Sequence, residues 1–164
     1  MNVNQVMTRQ VATAPLSANL REVVGVMMAN GCGWVPIVDA EGRPAGVITD
    51  RDVAIEAWRS NRRLGELLAM DAARREVVVC RDTSPVQSAE ALMRTAHVRR
   101  IGVVDLRGRL VGMLSVDDLA QLAVRAGNRD VEGLSSEDVL NVVAEASQNR
   151  RPRVPAVGHR PSAS

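Results

Sequence analysis

The chain has 164 residues, 46% of them hydrophobic, and its 21 basic side chains, all arginine, stand against 19 acidic ones for a net charge of +2. That length fits one domain or a tight pair, and no 18-residue apolar run is present, so no membrane span is expected. Without Phe or Tyr, and with Trp34 and Trp58 the only aromatics, the core is aliphatic, which argues against an aromatic stacking platform for single-stranded nucleic acid.

Four arginines, Arg150, Arg151, Arg153 and Arg160, lie beyond the last acid, Glu145, so the remaining chain carries about −2. The absence of Lys is read as biased codon usage ahead of selection for bidentate contacts. Cys32 and Cys80 show no metal-ligand spacing, and the N-terminus has no signal-peptide apolar region. A cytoplasmic protein with reduced thiols is the expectation.

In chain order, a short strand is predicted around Gln10 to Thr13. A helix follows, with Leu20, Val23, Val24, Met27 and Met28 at helical spacing and Asn19 three residues before Glu22 as its capping signal. Val35 to Val38 and Pro44 to Ile48 read as a hairpin joined by Asp39-Ala40-Glu41-Gly42, and a second helix starts near Asp50. The join from Ser60 to Arg75 carries a helical patch at Leu64 to Leu68. The order then recurs: a strand at Glu76 to Cys80, a helix with Val86, Ala89, Leu92 and Met93 opened by Ser84-Pro85-Val86-Gln87, a hairpin of Ile101 to Val104 and Arg109 to Leu114, and a helix from Val116. After Ala126-Gly127 the repetition stops. Ser135-Ser136-Glu137-Asp138 signals one more helix, carrying Val139, Leu140, Val142 and Val143, and from Gln148 the Arg, Pro, Ser and Gly content predicts disorder.

The recurrence is a true internal repeat. Gly46-Val47-Ile48-Thr49-Asp50-Arg51-Asp52 returns 66 residues later as Gly112-Met113-Leu114-Ser115-Val116-Asp117-Asp118. At the same offset Val38-Asp39 falls on Val104-Asp105, Gly42-Arg43 on Gly108-Arg109 and Met27 on Met93. Each copy is too small to bury its apolar faces well alone, so both are expected to form one compact unit.

The repeated string has two readings. Thr49-x-x-Asp52 and Ser115-x-x-Asp118 sit where strand becomes helix, and a hydroxyl followed by an acid at that spacing is close to a capping box, worth about 1 kcal/mol per helix. The same geometry suits a ligand. A helix N-terminus favours phosphate, a carboxylate there accepts ribose hydroxyls, and Gly46 and Gly112 permit close approach.

With both copies laid out, the chain resembles a tandem pair of cystathionine-β-synthase (CBS) domains, a Bateman module. The resemblance rests on Val35-Pro36-Ile37-Val38-Asp39 with Gly42 and the 46–52 string, and on Ile101-Gly102-Val103-Val104-Asp105 with Gly108 and the 112–118 string. It covers roughly residues 5 to 127, and the Thr-Asp-Arg-Asp string is similar to small stand-alone bacterial CBS proteins, some of them stress-responsive. It implies an α+β fold of two β-α-β-β-α repeats packed through their sheets, with domains at 5–63 and 70–127, a helical extension at 128–147 and a disordered tail at 148–164.

The resemblance also implies a regulatory module that is not an enzyme. Such modules bind an adenosine-containing ligand between the repeats and commonly associate as homodimers. Thr49, Asp52, Ser115 and Asp118 then hold ribose and phosphate, and Thr13, Ala14, Trp34, Val35, Val79, Cys80, Arg100 and Ile101 flank the adenine. AMP, ADP or ATP is the implied ligand, ahead of S-adenosylmethionine or NADH, with no cofactor required and the downstream protein partner unnamed. Two departures stand out: Gly102 replaces the proline of Pro36, and Trp34 occupies a position where His or Arg is common. Trp34 either stacks on a base or fills the cleft mouth. Arg51, Arg99 and Arg100 either meet phosphates or are solvated surface.

The alternatives are a ligand-free scaffold whose acids only cap helices and, more weakly, nucleic-acid binding through the tail. His97, read as ending a helix, and His159 in the tail are too isolated for a catalytic dyad. Cys32 is read as a small buried thiol before a redox sensor.

Overall fold

The computed structural model describes residues 1–73, 77–125 and 136–148. In the first repeat, β1 (Ala14–Pro15) precedes α1 (Leu20–Asn30), the hairpin of β2 (Trp34–Val38) and β3 (Pro44–Thr49), and α2 (Asp50–Ser60). In the second, β4 (Val79–Arg81) precedes α4 (Val86–Thr95), the hairpin of β5 (Arg100–Val104) and β6 (Leu110–Ser115), and α5 (Val116–Arg125). Between them lie a 3-10 turn, Leu64–Glu66, and the short α3 (Ala69–Ala72); α6 (Ser136–Gln148) follows the second repeat. Each sheet has three strands, β1-β2-β3 and β4-β5-β6, with the first pair parallel and the hairpin antiparallel. The central strands β2 and β5 are buried across their middles, which is why they read as unbroken apolar runs.

Both hairpin turns are built alike. Asp39 Oδ1 accepts from the backbone of Glu41 and Arg43, and its Oδ2 accepts from Arg43 Nε at 2.8 Å. Asp105 does the same with Arg107 and Arg109. The Arg43 amide hydrogen bond, with the guanidinium beside it, holds the Asp39 carboxyl below its ordinary range, and Arg109 acts likewise on Asp105. Gly42 and Gly108 take the left-handed backbone these turns require.

The two lead-in segments cross over. Residues preceding the first repeat pack on the second: Val3 and Met7 lie in a core with Val86, Met93, Ile101, Leu114 and Leu119. Residues preceding the second repeat pack on the first: Leu67 and Ala69 lie with Leu20, Val23, Val35 and Ile48. The bonds match at the 66-residue offset. Val3 N donates to Ser84 O as Ala69 N donates to Ala18 O, and Val86 N donates to Met1 O as Leu20 N donates to Leu67 O. The sheets also meet at their hairpin ends, where Leu110 N donates to Gly42 O at 2.9 Å. The reciprocal bond cannot form, because Pro44 stands at the position equivalent to Leu110 and has no N–H.

This crossing corrects several local expectations. The first strand is not at Gln10 to Thr13 but at Ala14–Pro15. Thr8 is tied to Met113 by a reciprocal pair of 2.9 Å backbone bonds, and the chain uses residues 9–13 to return to its own repeat. β4 begins at Val79 rather than Glu76, which itself lies outside the described residues. Ser84 does not cap α4. Pro85 holds the cap position, where its ring has no group to bond an amide, while Ser84 O and Val86 N pair with the Val3 and Met1 backbone. Asn19 does form its capping box with Glu22. Met28 and Leu140, counted on apolar faces, are 79% and 66% exposed. The expected cap at Ser135, the tail arginines and His159 lie outside the described residues. Among the described residues no helix is long and apolar enough to cross a membrane.

Candidate functional site

Strand register and helix start together build each site. In the first sheet Trp34 pairs with Thr49, the last residue of β3, and in the second Arg100 pairs with Ser115, the last of β6. Each hydroxyl residue then becomes the cap of the helix that follows. Asp52 N donates to Thr49 Oγ1 at 3.2 Å, while Asp52 Oδ2 accepts from Thr49 N at 2.9 Å and from Thr49 Oγ1 at 2.6 Å. The second repeat reproduces this: Asp118 N to Ser115 Oγ at 3.2 Å, and Asp118 Oδ2 accepting from Ser115 N at 2.8 Å and Ser115 Oγ at 2.5 Å. The capping box is therefore real at both strings.

These bonds limit what each group offers a ligand. A hydroxyl has one O–H to donate. Thr49 and Ser115 give theirs to the carboxylates, so neither donates to a phosphate while the box is intact. The first amides of α2 are also engaged: Asp50 N with Gly33 O, Arg51 N with Asp50 Oδ1 and Asp52 N with Thr49 Oγ1. In this arrangement the first amides of α2 are therefore already partnered. The chemistry that remains is acceptance, by carboxylates suited to ligand hydroxyls, with phosphate left to cations. Arg51 and Arg100 are exposed and Arg99 is half-buried, 4.0 Å from Asp117.

Asp118 has a further neighbour that sequence reading missed. Thr8 Oγ1 lies 3.4 Å from Asp118 Oδ1, a long hydrogen bond reaching across 110 positions of chain. Beside it, Met1, Gln5, Val6, Gln121 and Leu122 enclose with Asp118 a cavity of about 200 Å³. The crossed N-terminal segment thus forms one wall of the second site. No sequence pattern links Thr8 to Asp118; the 66-residue equivalence of Met1 with Leu67 is visible only in the backbone bonds of the folded chain.

The remaining expected residues divide by burial. Ala14, Val35 and Ile101 are buried in the core and present no exposed surface to a ligand. Thr13 and Val79 are exposed, and Trp34 is half-buried on the strand end beside Thr49. Cys80 is half-buried, and burial, with Asp82 nearby, pushes its thiol up to about 11. His97 lies just past α4 with φ 52°, matching Gly31 at φ 59° in the first repeat. Among the described residues no cluster of His, Cys, Asp and Glu has the makings of a metal site.

Comparison with known proteins agrees with this architecture. The CBS domain family model matches residues 3–58 and 68–125. The uncharacterized protein MK0525 of Methanopyrus kandleri is 30% identical over 122 residues, a match covering 74% of this chain and 62% of that protein's length. Among solved structures, the CBS domain protein TA0289 of Thermoplasma acidophilum superposes with a TM-score of 0.71 at 19% identity, over 90% of this chain and 76% of that one. The CBS domain protein PAE2072 of Pyrobaculum aerophilum, solved in complex with AMP, has a TM-score of 0.65 at 25% identity, covering 88% of this chain and 99% of its own.

Proposed function

Because the chain belongs to the CBS-domain family, we propose that it is a ligand-sensing regulatory protein that binds an adenosine-containing nucleotide, of the AMP, ADP or ATP class, and works as a homodimer. The observation carrying this reading is the doubled carboxylate. Asp52 and Asp118 stand at equivalent helix starts, each fixed by its own capping box. Exposed arginine lies close by in both repeats, as Arg51 and Arg100. Ribose hydroxyls donate to the carboxylates and phosphate meets guanidinium, whose planar fork suits it. The AMP held by PAE2072 supports the same ligand class.

Signalling follows from the crossed segments. A nucleotide whose hydroxyls engage Asp118 competes with Thr8 Oγ1 and presses on the 1–8 segment, which leads into the first repeat. A ligand shifts the population of arrangements by its differential affinity for them, and this segment is where the arrangements would differ. A partner protein then reads the altered surface.

Thermal unfolding with AMP, ADP, ATP, S-adenosylmethionine and NADH tests the proposal. Ligand at a hundred times Kd stabilises by about 2.7 kcal/mol, or very roughly 5–10 °C for a chain of this size. No shift with any of the five overturns the nucleotide reading and favours the scaffold, in which the acids serve only as caps.

A further inference from the structure

The two sites differ at the residues that flank the shared hydroxyl and acid. Paired residues of antiparallel strands project to the same face, so Trp34 stands beside Thr49 as Arg100 stands beside Ser115. An aromatic ring thus takes the place of a guanidinium. One residue earlier, Gly33 answers to Arg99. A Cβ on Gly33 would lie 2.8 Å from Asp50 Oδ2, so the Asp50 carboxylate bars an arginine from that position. Asp50 also accepts from Arg51 N at 2.7 Å. The counterpart of that amide, Asp117 N, follows Val116, whose side chain has no oxygen to accept it. The charges differ accordingly. The first set, with Asp50 and Asp52 against Arg51, carries −1, and the second, with Arg99 and Arg100 against Asp117 and Asp118, is neutral.

We infer that the two sites sort adenosine ligands by charge, with Trp34 and Arg100 as the determinants: the second reads phosphate, and the first favours a phosphate-free adenosine whose tail is a cation such as a sulfonium. The inference rests on the nucleotide reading above and gives each site its own ligand class. Asp52 and Asp118 are held alike by their capping boxes, so the ribose end of a ligand meets the same acceptor in both, and discrimination falls to the tail. In the second site Arg100 is exposed, and Arg99, 4.0 Å from Asp117, lies beside it. Two planar guanidinium forks and the amide of Asp117 then meet phosphate oxygens at the start of α5, so each added phosphate tightens binding. In the first site Arg51 admits AMP, but the acids on either side of it offset its charge, and further phosphates gain nothing. The face of an indole carries negative potential, which attracts a cation and disfavours an anion. Trp34 is half-buried on the face of its cap residue, where a ligand tail leaving the ribose passes.

The test is calorimetric titration of single-site variants of the full chain with adenosine, AMP, ADP, S-adenosylmethionine and S-adenosylhomocysteine, the last lacking the sulfonium methyl and its charge. In Asp52→Asn, which leaves the second site, AMP and ADP are each expected to bind about tenfold tighter than the ligand with one phosphate fewer. In Asp118→Asn, which leaves the first, ADP is expected to gain nothing over AMP, and S-adenosylmethionine to bind about fivefold tighter than S-adenosylhomocysteine. Adding Trp34→Arg to Asp118→Asn should install the phosphate dependence. Trp34→Leu, which keeps an apolar side chain, should abolish the sulfonium preference alone. Arg100→Trp added to Asp52→Asn should remove the phosphate dependence, with circular dichroism confirming the fold of each variant. Equal phosphate dependence in the two single-site variants, or exchanges at 34 and 100 that leave the selectivities unchanged, overturn the sorting while the nucleotide reading stands. A wild type that binds none of the five probes overturns the nucleotide reading and the sorting with it.

Discussion

Asp118→Asn separates the two roles assigned to one carboxylate. The wild-type oxygen accepts from Ser115 N at 2.8 Å and Ser115 Oγ at 2.5 Å, at the N-terminus of α5. An asparagine oxygen can still accept both bonds, but as a neutral group. Hydrogen bonds to charged groups contribute about 1.5–3 kcal/mol and neutral ones about 0.5–1.5, and a charge at a helix start adds about 0.3–1 kcal/mol. Discounting for the half-exposed position, the variant should lose about 1.5–2 kcal/mol. At about 2–4 °C per kcal/mol for a chain of this length, Tm falls by about 3–8 °C without ligand. Titration calorimetry with AMP should then show one site per chain where the wild type shows two, because Asp52 is untouched. A ligand-free Tm within 1 °C of wild type would refute the capping bonds as described. Unchanged stoichiometry and affinity would refute Asp118 as the acceptor of ribose hydroxyls.

The other predictions concern packing, pH and thiol chemistry. Gly112→Ala places a Cβ 2.5 Å from Met7 Sδ and 3.0 Å from Thr8 O; the backbone contact cannot yield cheaply, so urea unfolding should show a loss of about 1–3 kcal/mol, and an unchanged midpoint would disprove the close crossing. Asp39 and Asp105 have carboxyl pKa values lowered from 3.8 by their arginine partners. Their contribution is complete above that value and is lost as pH falls through the lower folded-state values. Asp39→Asn with Asp105→Asn should therefore flatten the stability profile below about pH 4, and a profile identical to wild type would contradict the turn geometry. With its thiol pushed up to about 11, Cys80 has a thiolate fraction of only about 10⁻³ at pH 8. In a Cys32→Ser background its labelling should be slow at pH 8 and rise about tenfold per pH unit; fast labelling at pH 7 would show an open, unburied thiol.

Local chemistry was legible where a residue's partners are close in sequence. The Asn19–Glu22 box, the Thr49–Asp52 and Ser115–Asp118 boxes and the Asp39 and Asp105 turns are closed within four positions, so spacing alone announces them. The cap at Ser84 and the strand at Gln10 to Thr13 were misplaced because their backbone partners lie far along the chain: Val3 for Ser84, and Met113 for Thr8, whose pairing leaves residues 9–13 as a crossing. Thr8 beside Asp118 escaped notice for the same reason, since no periodicity connects positions 110 residues apart. Helical spacing placed Met28 and Leu140 among apolar sets, but a hydrophobic stripe does not say which of its members face the core of their own chain.

The sequence by itself determined the duplication, the β-α-β-β-α order and the two carboxylates at helix starts, because all of these are properties of short segments repeated at a constant offset. Only the tertiary structure decided that each lead-in segment packs on the other repeat, that the N-terminal segment lies beside Asp118, and that α6 covers the helix pair of the second repeat while, among the described residues, none covers its equivalent. Those outcomes depend on which apolar surfaces find one another across the whole chain, a choice governed by burial and non-local closure that no local pattern encodes.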